Sequence, residues 1–374
     1  MKKYWIAYAL FSVVCAFALA GGSWVTSLAQ GTVPDRVPLR GPVVPIINSI
    51  ITAGEGHTCA ITPADGLRCW GWNDSGQLGD GTFADSNVPV NVIDVLASTV
   101  IDLTAGIKHT CALLANSEVI CWGLNDSGQL GNGTTTNSNV PVLVQGLQGR
   151  IVAIDGGAKF TCAQSDTDEV FCWGDNSTGQ LNDGTTTNRL VATLTDPGLV
   201  GNVLMVAGGL KELQGVTKDG VTNFWNNEPL IPVTGVPEAV YEILTAGRWL
   251  EGGCSTTIGQ DVNCWGSIVN VAVSGASLNR HLLDNGSGHA CTVNSDGLVC
   301  WGNNSNGQLG SGWNAKEDEV VVVRGLPSVV DLATGMNHTC AIIDNEIIKC
   351  WGENQFGQLG TGTNSDTAFP KIVQ

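Results

Sequence analysis

The sequence predicts an all-β fold, a seven-bladed β-propeller built from four-stranded blades. A hairpin with two cysteines about ten residues apart, the second followed by Trp, recurs six times, and a seventh unit around Phe224-Trp225 keeps only the Trp. The chain of 374 residues contains 49 Gly and only 14% charged residues, a composition typical of short strands joined by tight turns. Apolar residues at helical spacing are scarce beyond the N-terminal stretch.

Each full repeat contains four strand-like segments in a fixed order. In the second repeat, a short apolar strand (Val100 to Leu103) leads through an Ala-Gly turn to the strand with the first cysteine, His109 to Leu113. A hairpin turn follows, then a strand that ends in Cys-Trp-Gly, a turn-rich Gly-Gln-Leu-Gly segment, and a final strand from Val140 to Val144. Such a unit can bury only one face alone, so neighbouring units must stack to make a core.

A closed ring fits these repeats better than a linear stack. Successive repeats are 37 to 52 residues long, and neither end of the series has the polar capping unit that a linear solenoid needs. The last residues, Phe369 to Val373, match the fourth-strand position, and the apolar segment Val43 to Ile47 precedes the first repeat. We expect the two chain ends to meet in one blade and close the ring.

The spacing of the cysteines predicts one disulfide within each of six blades. Two antiparallel strands joined by a short turn place residues about ten apart directly opposite each other, at a separation that a disulfide can span. The seventh unit lacks both cysteines together, which indicates pairing within a unit rather than between units. The expected pairs are Cys59–Cys69, Cys111–Cys121, Cys162–Cys172, Cys254–Cys264, Cys291–Cys300 and Cys340–Cys350.

Buried free thiols and zinc sites are the alternatives for these cysteines. His57, His109 and His338 each stand two residues before a cysteine, as metal ligands could. Phe160 replaces this histidine in the third repeat although both cysteines remain, which a zinc site would not tolerate. We therefore favour disulfides and expect no metal and no cofactor. The recurring histidines, with His289, are expected to be structural and to hydrogen-bond a neighbouring carbonyl.

The N-terminus has the features of a secretory signal. A basic start precedes an almost wholly apolar stretch from Tyr4 to Ala20, and Ser27-Leu28-Ala29 has the small-x-Ala pattern of a cleavage site. An uncleaved membrane anchor is the alternative. Either route exports the rest of the chain to an oxidising compartment, so we expect a secreted or extracytoplasmic protein. The expected divisions are a signal peptide or anchor over 1–29, a linker with the start of the closing seam over 30–45, and the propeller over 46–374.

The strongly acidic charge narrows the class of partner. The formal net charge is −17 at neutral pH, which repels phosphate backbones, so we expect no nucleic-acid partner. The membrane is expected as a partner only if the N-terminal segment is not cleaved. We expect a monomer.

The repeat unit resembles that of the regulator of chromosome condensation family. The pattern A-G-x-x-H-T-C-A-L, followed by C-W-G-x-N-x-x-G-Q-L-G-x-G-T, is nearly complete over Ala53 to Thr82, Ala105 to Thr134 and Gly335 to Thr363. A slightly altered copy runs from Gly156 to Thr185. The resemblance implies a seven-bladed propeller closed by its termini.

The activity of the family's founding member, a nuclear guanine nucleotide exchange factor, is one alternative function. That activity relies on an insertion from one blade and on basic elements, whereas no repeat here exceeds 52 residues and the chain is acidic. Secreted β-lactamase inhibitory proteins on this propeller are a more apt resemblance. They bind a protein across one rim of the ring with aromatic loop residues, which implies a binding role.

Large aromatic and basic residues interrupt the repeat pattern in several loops, and these positions are the candidate binding residues. We expect an exported scaffold that binds an extracellular or cell-surface protein, with a glycan as second choice, through loops of one rim. An extracellular hydrolase or lyase is a further alternative, but no unique pair of catalytic side chains stands out, so catalytic activity is not expected. The candidates are Trp72, Phe83, Arg248, Trp249, Arg280 and Trp313.

Overall fold

Seven antiparallel sheets follow one another along the chain, and each is formed by one continuous run of sequence. They belong to a computed structural model that describes residues 50–62, 66–95, 99–195, 203–217, 222–225, 231–232, 240–246, 252–257, 260–266, 273–277, 282–313 and 319–374. The expected signal peptide, the linker and the segment Val43 to Ile47 lie outside these residues.

The first three sheets each contain four strands in up-and-down order. Blade 1 comprises β1 (Ile50–Ala53), β2 (His57–Thr62), β3 (Gly66–Gly71) and β4 (Ser86–Asn91). Blade 2 comprises β5 (Val100–Ala105), β6 (His109–Leu114), β7 (Val119–Gly123) and β8 (Ser138–Leu143). Blade 3 comprises β9 (Ile151–Gly156), β10 (Phe160–Ser165), β11 (Val170–Gly174) and β12 (Arg189–Leu194).

The fourth and fifth sheets correspond to the short repeats, and their described residues form less of an outer strand than those of the first three sheets. Blade 4 comprises β13 (Val203–Gly208), β14 (Leu213–Thr217), β15 (Thr222–Trp225) and the two-residue β16 (Ile231–Pro232). In blade 5 the described residues form β17 (Val240–Ala246), β18 (Gly252–Thr257) and β19 (Val262–Gly266). An isolated bridge between Val262 and Val273 adds to this sheet.

The last two sheets each contain four strands. Blade 6 comprises β20 (Leu283–Asn285), β21 (His289–Asn294), β22 (Gly297–Gly302) and β23 (Val321–Val322). Blade 7 comprises β24 (Val329–Thr334), β25 (His338–Ile343), β26 (Ile347–Gly352) and β27 (Thr367–Ile372), with a 3₁₀ turn (Asp344–Glu346) before β26.

The innermost strands close the sheets into a ring. Each first strand contacts the first strand of the next blade, in the order β1, β5, β9, β13, β17, β20, β24, and β24 contacts β1 again. The predicted all-β propeller of seven blades is thus confirmed, because a linear stack would leave β1 and β24 apart.

At the seam between the chain ends, the described residues place the last strand in the seventh blade; whether the ends share one blade stays a prediction, because Val43 to Ile47 lie outside these residues. β27 pairs with β26 of its own blade, and the described strands of blade 1 all come from the first repeat. Side chains join these two complete blades: Ile51 N donates to the Asp331 carboxylate (2.9 Å) and the Trp70 indole donates to Gln358 O (2.9 Å). Pairing with the strand that precedes it along the chain requires a much shorter loop to close, which favours β27 in its own blade.

All six expected disulfides are confirmed. In each pair the two cysteines face each other in the register of the second and third strands, as Cys111 and Cys121 do. Their Cα atoms lie 4.1–4.2 Å apart in the six pairs, as expected of close antiparallel neighbours. Gln214 and Phe224 occupy the equivalent opposed positions in blade 4.

The repeat histidines are structural as expected, but their partner is a threonine hydroxyl of the next blade rather than a carbonyl. Nε2 of His57 lies 3.0 Å from Oγ1 of Thr110, and the same contact is repeated at three further interfaces. These pairs are His109–Thr161 (2.9 Å), His289–Thr339 (3.0 Å) and His338–Thr58 (2.9 Å). Since all four histidines are fully buried, the hydrogen bonds lock successive blades together.

The Gly-Gln-Leu-Gly segment forms a second set of hydrogen bonds between blades. The Gln77 carbonyl accepts both the Trp122 indole N–H (2.9 Å) and the Thr110 hydroxyl (3.1 Å) of the following blade. The carbonyls of Gln129, Gln308 and Gln358 accept the next tryptophan in the same way, each at 2.9 Å. The repeat tryptophans described with their side chains therefore serve mainly in blade-to-blade packing.

Three interfaces depart from this pattern. Between blades 4 and 5, Glu212 and Gly253 stand at the positions of the histidine and the threonine. Between blades 3 and 4, Phe160 and Leu213 replace the histidine and the threonine and lie in one apolar cluster. Between blades 5 and 6, Gly252 and Ala290 occupy those positions. Among the described residues, the buried indole nitrogen of Trp301 has no hydrogen-bond partner, because the preceding short repeat has no Gly-Gln-Leu-Gly segment to provide the carbonyl.

Candidate functional site

The long loops between the third and fourth strands lie at one end of the strands, together with the turns between the first and second strands. We call the part of this face formed by loops 72–85, 303–313 and 353–366 with the outer strands β4 and β27 the aromatic rim. It spans blades 6, 7 and 1, whereas the short hairpin turns between second and third strands lie at the opposite end.

A buried asparagine holds each of these loops in shape. Asn73 is fully buried, and its Nδ2 donates to the carbonyls of Thr82 (3.2 Å) and Ala84 (3.0 Å) while its Oδ1 accepts Leu78 N (3.0 Å). Asn304 plays the same part in blade 6 and donates to Gly312 O (2.9 Å). Because both carbonyls flanking Phe83 are fixed, its side chain is presented from a rigid backbone.

Three aromatic side chains project from the aromatic rim into solvent. Phe83 and Trp313 are each 54% exposed and Phe369 is 57% exposed. Among the side chains that the structure describes, these are the large aromatic residues exposed by more than half. Their exposure agrees with the expected binding role of Phe83 and Trp313, which stays a prediction.

Phe369 was missed by the sequence reasoning. It lies in β27 at the position that Val88 holds in β4. An aromatic residue is ordinary in a strand, so nothing in the sequence marked Phe369 as a binding residue. A comparison of outer strands across repeats could have singled it out, since the matching residue of blade 2 is Val140.

Backbone hydrogen bonds join the parts of the aromatic rim into one continuous surface. Gly312 N, beside Trp313, donates to Ala368 O of β27 (3.0 Å), and Gly362 N donates to Asn87 O of β4 (2.8 Å). Each loop thus rests on the outer strand of the next blade. Trp313, Phe369 and Phe83 therefore belong to one arc rather than to separate loops.

Trp72, another expected binding residue, contacts side chains of the two neighbouring blades. Its ring stacks on Phe356 of blade 7, with centroids 4.3 Å apart and planes 3° apart. From blade 2, the Lys108 ammonium lies 3.4 Å from the Trp72 ring centroid and 2.8 Å from the Asp74 carboxylate. The indole is partly buried and ties three blades together, and its part in binding stays a prediction.

Carboxylates accumulate next to this aromatic stack. Burial raises the pKa of Glu55; Lys108 opposes the shift, while the like charges of Asp74 and Glu353 add to it. Burial also raises the pKa of Glu353, where a hydrogen bond from Asn337 opposes the effect and Asp366 adds to it. The turns of blades 7 and 1 therefore bring several carboxylates together, and Lys108 offsets part of their charge.

The remaining expected binding residues, Arg248, Trp249 and Arg280, lie outside the described residues. No group of three or more potential metal ligands is present in the described part of the chain. Within that same part, the structure has no helix of the length and apolarity needed to span a membrane.

Comparison with known families identifies the repeat. The Regulator of chromosome condensation (RCC1) repeat matches residues 68–113, 116–164, 296–342 and 350–374, and a second description of the same repeat matches 49–77, 100–129, 151–180 and 329–358. The chain is also 31% identical over 369 residues to the Ultraviolet-B receptor UVR8 of Arabidopsis thaliana, covering 87% of this chain and 81% of that protein. The chain belongs to the RCC1 repeat family.

Other RCC1 relatives match over a smaller part. E3 ubiquitin-protein ligase HERC2 of Homo sapiens is 34% identical over 154 residues, which is 40% of this chain and 3% of that protein. Among solved structures, Prp20p of Saccharomyces cerevisiae has a TM-score of 0.65 at 17% identity, with 88% of both chains covered. The ectodomain of the receptor kinase CR4 of Physcomitrella patens has a TM-score of 0.52 at 17% identity, covering 82% of this chain and 73% of that one. These two structures share the fold.

Proposed function

We propose that this RCC1-family propeller is an exported scaffold that binds a protein through the aromatic rim. The observation that carries the proposal is the exposure of Phe83, Trp313 and Phe369 on one arc of rigid loops and strands. Exposed aromatic side chains held by a rigid backbone are favoured anchors of protein interfaces, because little conformational entropy is lost when they are buried.

Relatives with this fold support a binding role. Prp20p is described as binding Gsp1p and histones, and the CR4 propeller belongs to a receptor ectodomain. The six disulfides support an oxidising compartment outside the cytosol, where such bonds persist. Export through the segment 1–29 and the monomeric state are parts of this proposal.

A pull-down with the oxidised, exported protein tests the role of the aromatic rim. Wild type, a Phe83→Ala/Trp313→Ala variant and a Leu143→Ala control are compared on surface and medium fractions of the source organism. Leu143 is 50% exposed on β8 of blade 2, outside the aromatic rim, so its loss removes a similar exposed apolar surface.

A protein captured by wild type and the control, and lost in the rim variant, is the expected result. Equal capture by all three proteins would contradict the proposal. Capture of a glycan in place of a protein would support the second choice of ligand. Nucleotide exchange on a small GTPase, or turnover of a substrate, would support the exchange-factor or hydrolase alternative.

A further inference from the structure

We propose that the partner segment bound by the aromatic rim is basic, an extended stretch of protein that carries Lys or Arg side chains. The inference rests on the proposed function and specifies the chemistry of its partner. Three features of blades 6, 7 and 1 support this inference. They are the charge of the loops, the exposed aromatic side chains and the hydrogen bonds that hold the loops in shape.

The loops of the aromatic rim carry an excess of negative charge. Loops 72–85 and 353–366 contain five carboxylates and no Lys or Arg: Asp74, Asp80, Asp85, Glu353 and Asp366. The described loop 303–313 contains no charged residue. Three lysines of this face lie in the turns between the first and second strands of blades 2, 3 and 4, and the first of them contacts Trp72 and Asp74 of the aromatic rim: Lys108, Lys159 and Lys211. Among the described residues, the aromatic rim has one lysine of its own, Lys371 in β27. Lys108 pairs with one of the five carboxylates, Asp74, and the remaining negative charge attracts a basic segment to the aromatic rim.

Part of the negative charge of the aromatic rim is available to attract a partner. Lys108 pairs with Asp74 at 2.8 Å, and Lys159 pairs with Asp126 of blade 2 at 2.7 Å. Asp85 and Asp366 are exposed, and each accepts a hydrogen bond from a backbone N–H, of Asn73 (2.7 Å) and Asn354 (2.8 Å). A backbone N–H orients these carboxylates without neutralising them, so they can still attract a cation.

The aromatic side chains favour the same kind of partner. Lys and Arg side chains can lie over aromatic rings while their charged ends pair with nearby carboxylates. The described residues include such an arrangement, since Lys108 lies 3.4 Å from the Trp72 ring centroid and pairs with Asp74. Phe83 lies two residues before Asp85, and Phe369 three residues after Asp366, so these two exposed rings each have a carboxylate close to them in the chain.

The repeats themselves supply an isosteric way to remove the charge. Asn137 and Asn188 take the places of Asp85 and Asp366 in blades 2 and 3, and their Oδ1 atoms accept the same backbone N–H at 2.9 Å. The variant Asp85→Asn/Asp366→Asn therefore removes two charges while it keeps the loop hydrogen bonds. Asp166→Asn/Asp296→Asn removes the same charge from exposed hairpin turns at the other end of the strands and is the matched control.

The experiment measures binding of short synthetic peptides to the full oxidised chain by fluorescence polarisation. The peptides are identical except that their variable positions are all Arg, all Gln or all Glu. We expect saturable binding of the Arg peptide, weakened about 3- to 10-fold by Asp85→Asn/Asp366→Asn at low ionic strength and hardly changed by the control. The variant Trp313→Ala/Phe369→Ala should weaken it by at least about 10-fold.

Equal binding of the Arg and Gln peptides, or equal losses in the charge variant and its control, would overturn the proposal. The pull-down separates this failure from that of the proposed function. If the Arg peptide does not bind but Phe83→Ala/Trp313→Ala still loses the captured protein, the scaffold function stands and the basic partner is wrong. If the rim variant retains the captured protein, the scaffold function itself is wrong.

Discussion

At the scale of single residues, the buried loop asparagines are among the most important polar side chains of the molecule. Nδ2 of Asn125 donates to the carbonyls of Thr134 and Thr136, both at 3.0 Å, and Oδ1 accepts Leu130 N at 2.9 Å. We expect Asn125→Ala to lower the free energy of unfolding by about 2–4 kcal/mol, because several backbone groups lose their partner. Urea denaturation measures this, and Thr135→Ala, at an exposed position in the same loop, should change it little.

The buried histidines predict a dependence of stability on pH. Burial lowers the pKa of His289 and of His338 from 6.5 to about 3. The unfolded chain therefore takes up protons that the folded chain does not, so the stability is full above pH 6.5 and falls as the pH decreases toward 3. Each histidine should cost roughly 2–3 kcal/mol by about pH 4.5.

Unfolding free energies measured across this pH range test the effect, with a double variant as the reference. His289→Phe/Thr339→Leu copies the pair Phe160 and Leu213 that joins blades 3 and 4. It should fold and show a smaller loss of stability on acidification. An unchanged pH profile in this variant would assign the loss to other groups.

The sequence predicted the structural role of these histidines but not their partner. Their recurrence at equivalent positions excluded a unique catalytic role. The Thr110 hydroxyl that His57 meets lies in the next blade, 53 residues away, and only the twist and spacing of packed blades bring the two together. Trp72 is a similar case, since its contacts come from two other blades.

At the scale of the elements, the hairpin of the second and third strands is the feature best predicted from the sequence. The spacing of the cysteines fixed its register, and the observed pairs are directly opposite each other. The outer strands were predicted less well. β27 matched the fourth-strand position, but which blade it completes depends on loop closure rather than on its own residues.

Blade 4 offers a test of this hairpin geometry. Gln214 pairs with Phe224 in the same register as the cysteines of the other blades. We expect Gln214→Cys/Phe224→Cys to form a seventh disulfide and to raise stability by about 3 kcal/mol, because the closed loop is as short as the native ones. Non-reducing peptide mapping detects the bond, and thermal unfolding with and without reductant measures its effect. Recovery of two free thiols in the oxidised protein would contradict the expectation.

At the scale of the whole molecule, the contacts that hold blades together are unevenly distributed. Histidine–threonine pairs and glutamine carbonyls lock most interfaces, but among the described residues the interface of blades 5 and 6 has Gly252 and Ala290 at those positions and an unpartnered Trp301 indole. Its core is an apolar cluster that includes Cys254, Leu283 and Trp301. The loss of the Gly-Gln-Leu-Gly segment in the short repeats was visible in the sequence, but the buried donor that it leaves was not.

Hydrogen exchange should reveal this difference. We expect backbone amides of β18 and β19 to exchange faster than those of β6 and β7, because fewer polar contacts oppose separation of the fifth blade from the sixth. Mass spectrometry of peptic fragments measures both hairpins in one sample. Similar protection in the two hairpins would show that apolar packing alone holds the interface.

The closure of the ring by two complete blades has a consequence for mechanical force. In a ring closed by strand exchange, tension between the chain ends would shear a ladder of backbone hydrogen bonds along its length. Here, among the described residues, the same tension would act on separate contacts such as Asp331 with Ile51, Gly362 with Asn87 and Phe356 with Trp72, which can yield one after another. If the protein is pulled while held at a surface by its N-terminus, blades 7 and 1 should part first, while each disulfide still holds its own hairpin together.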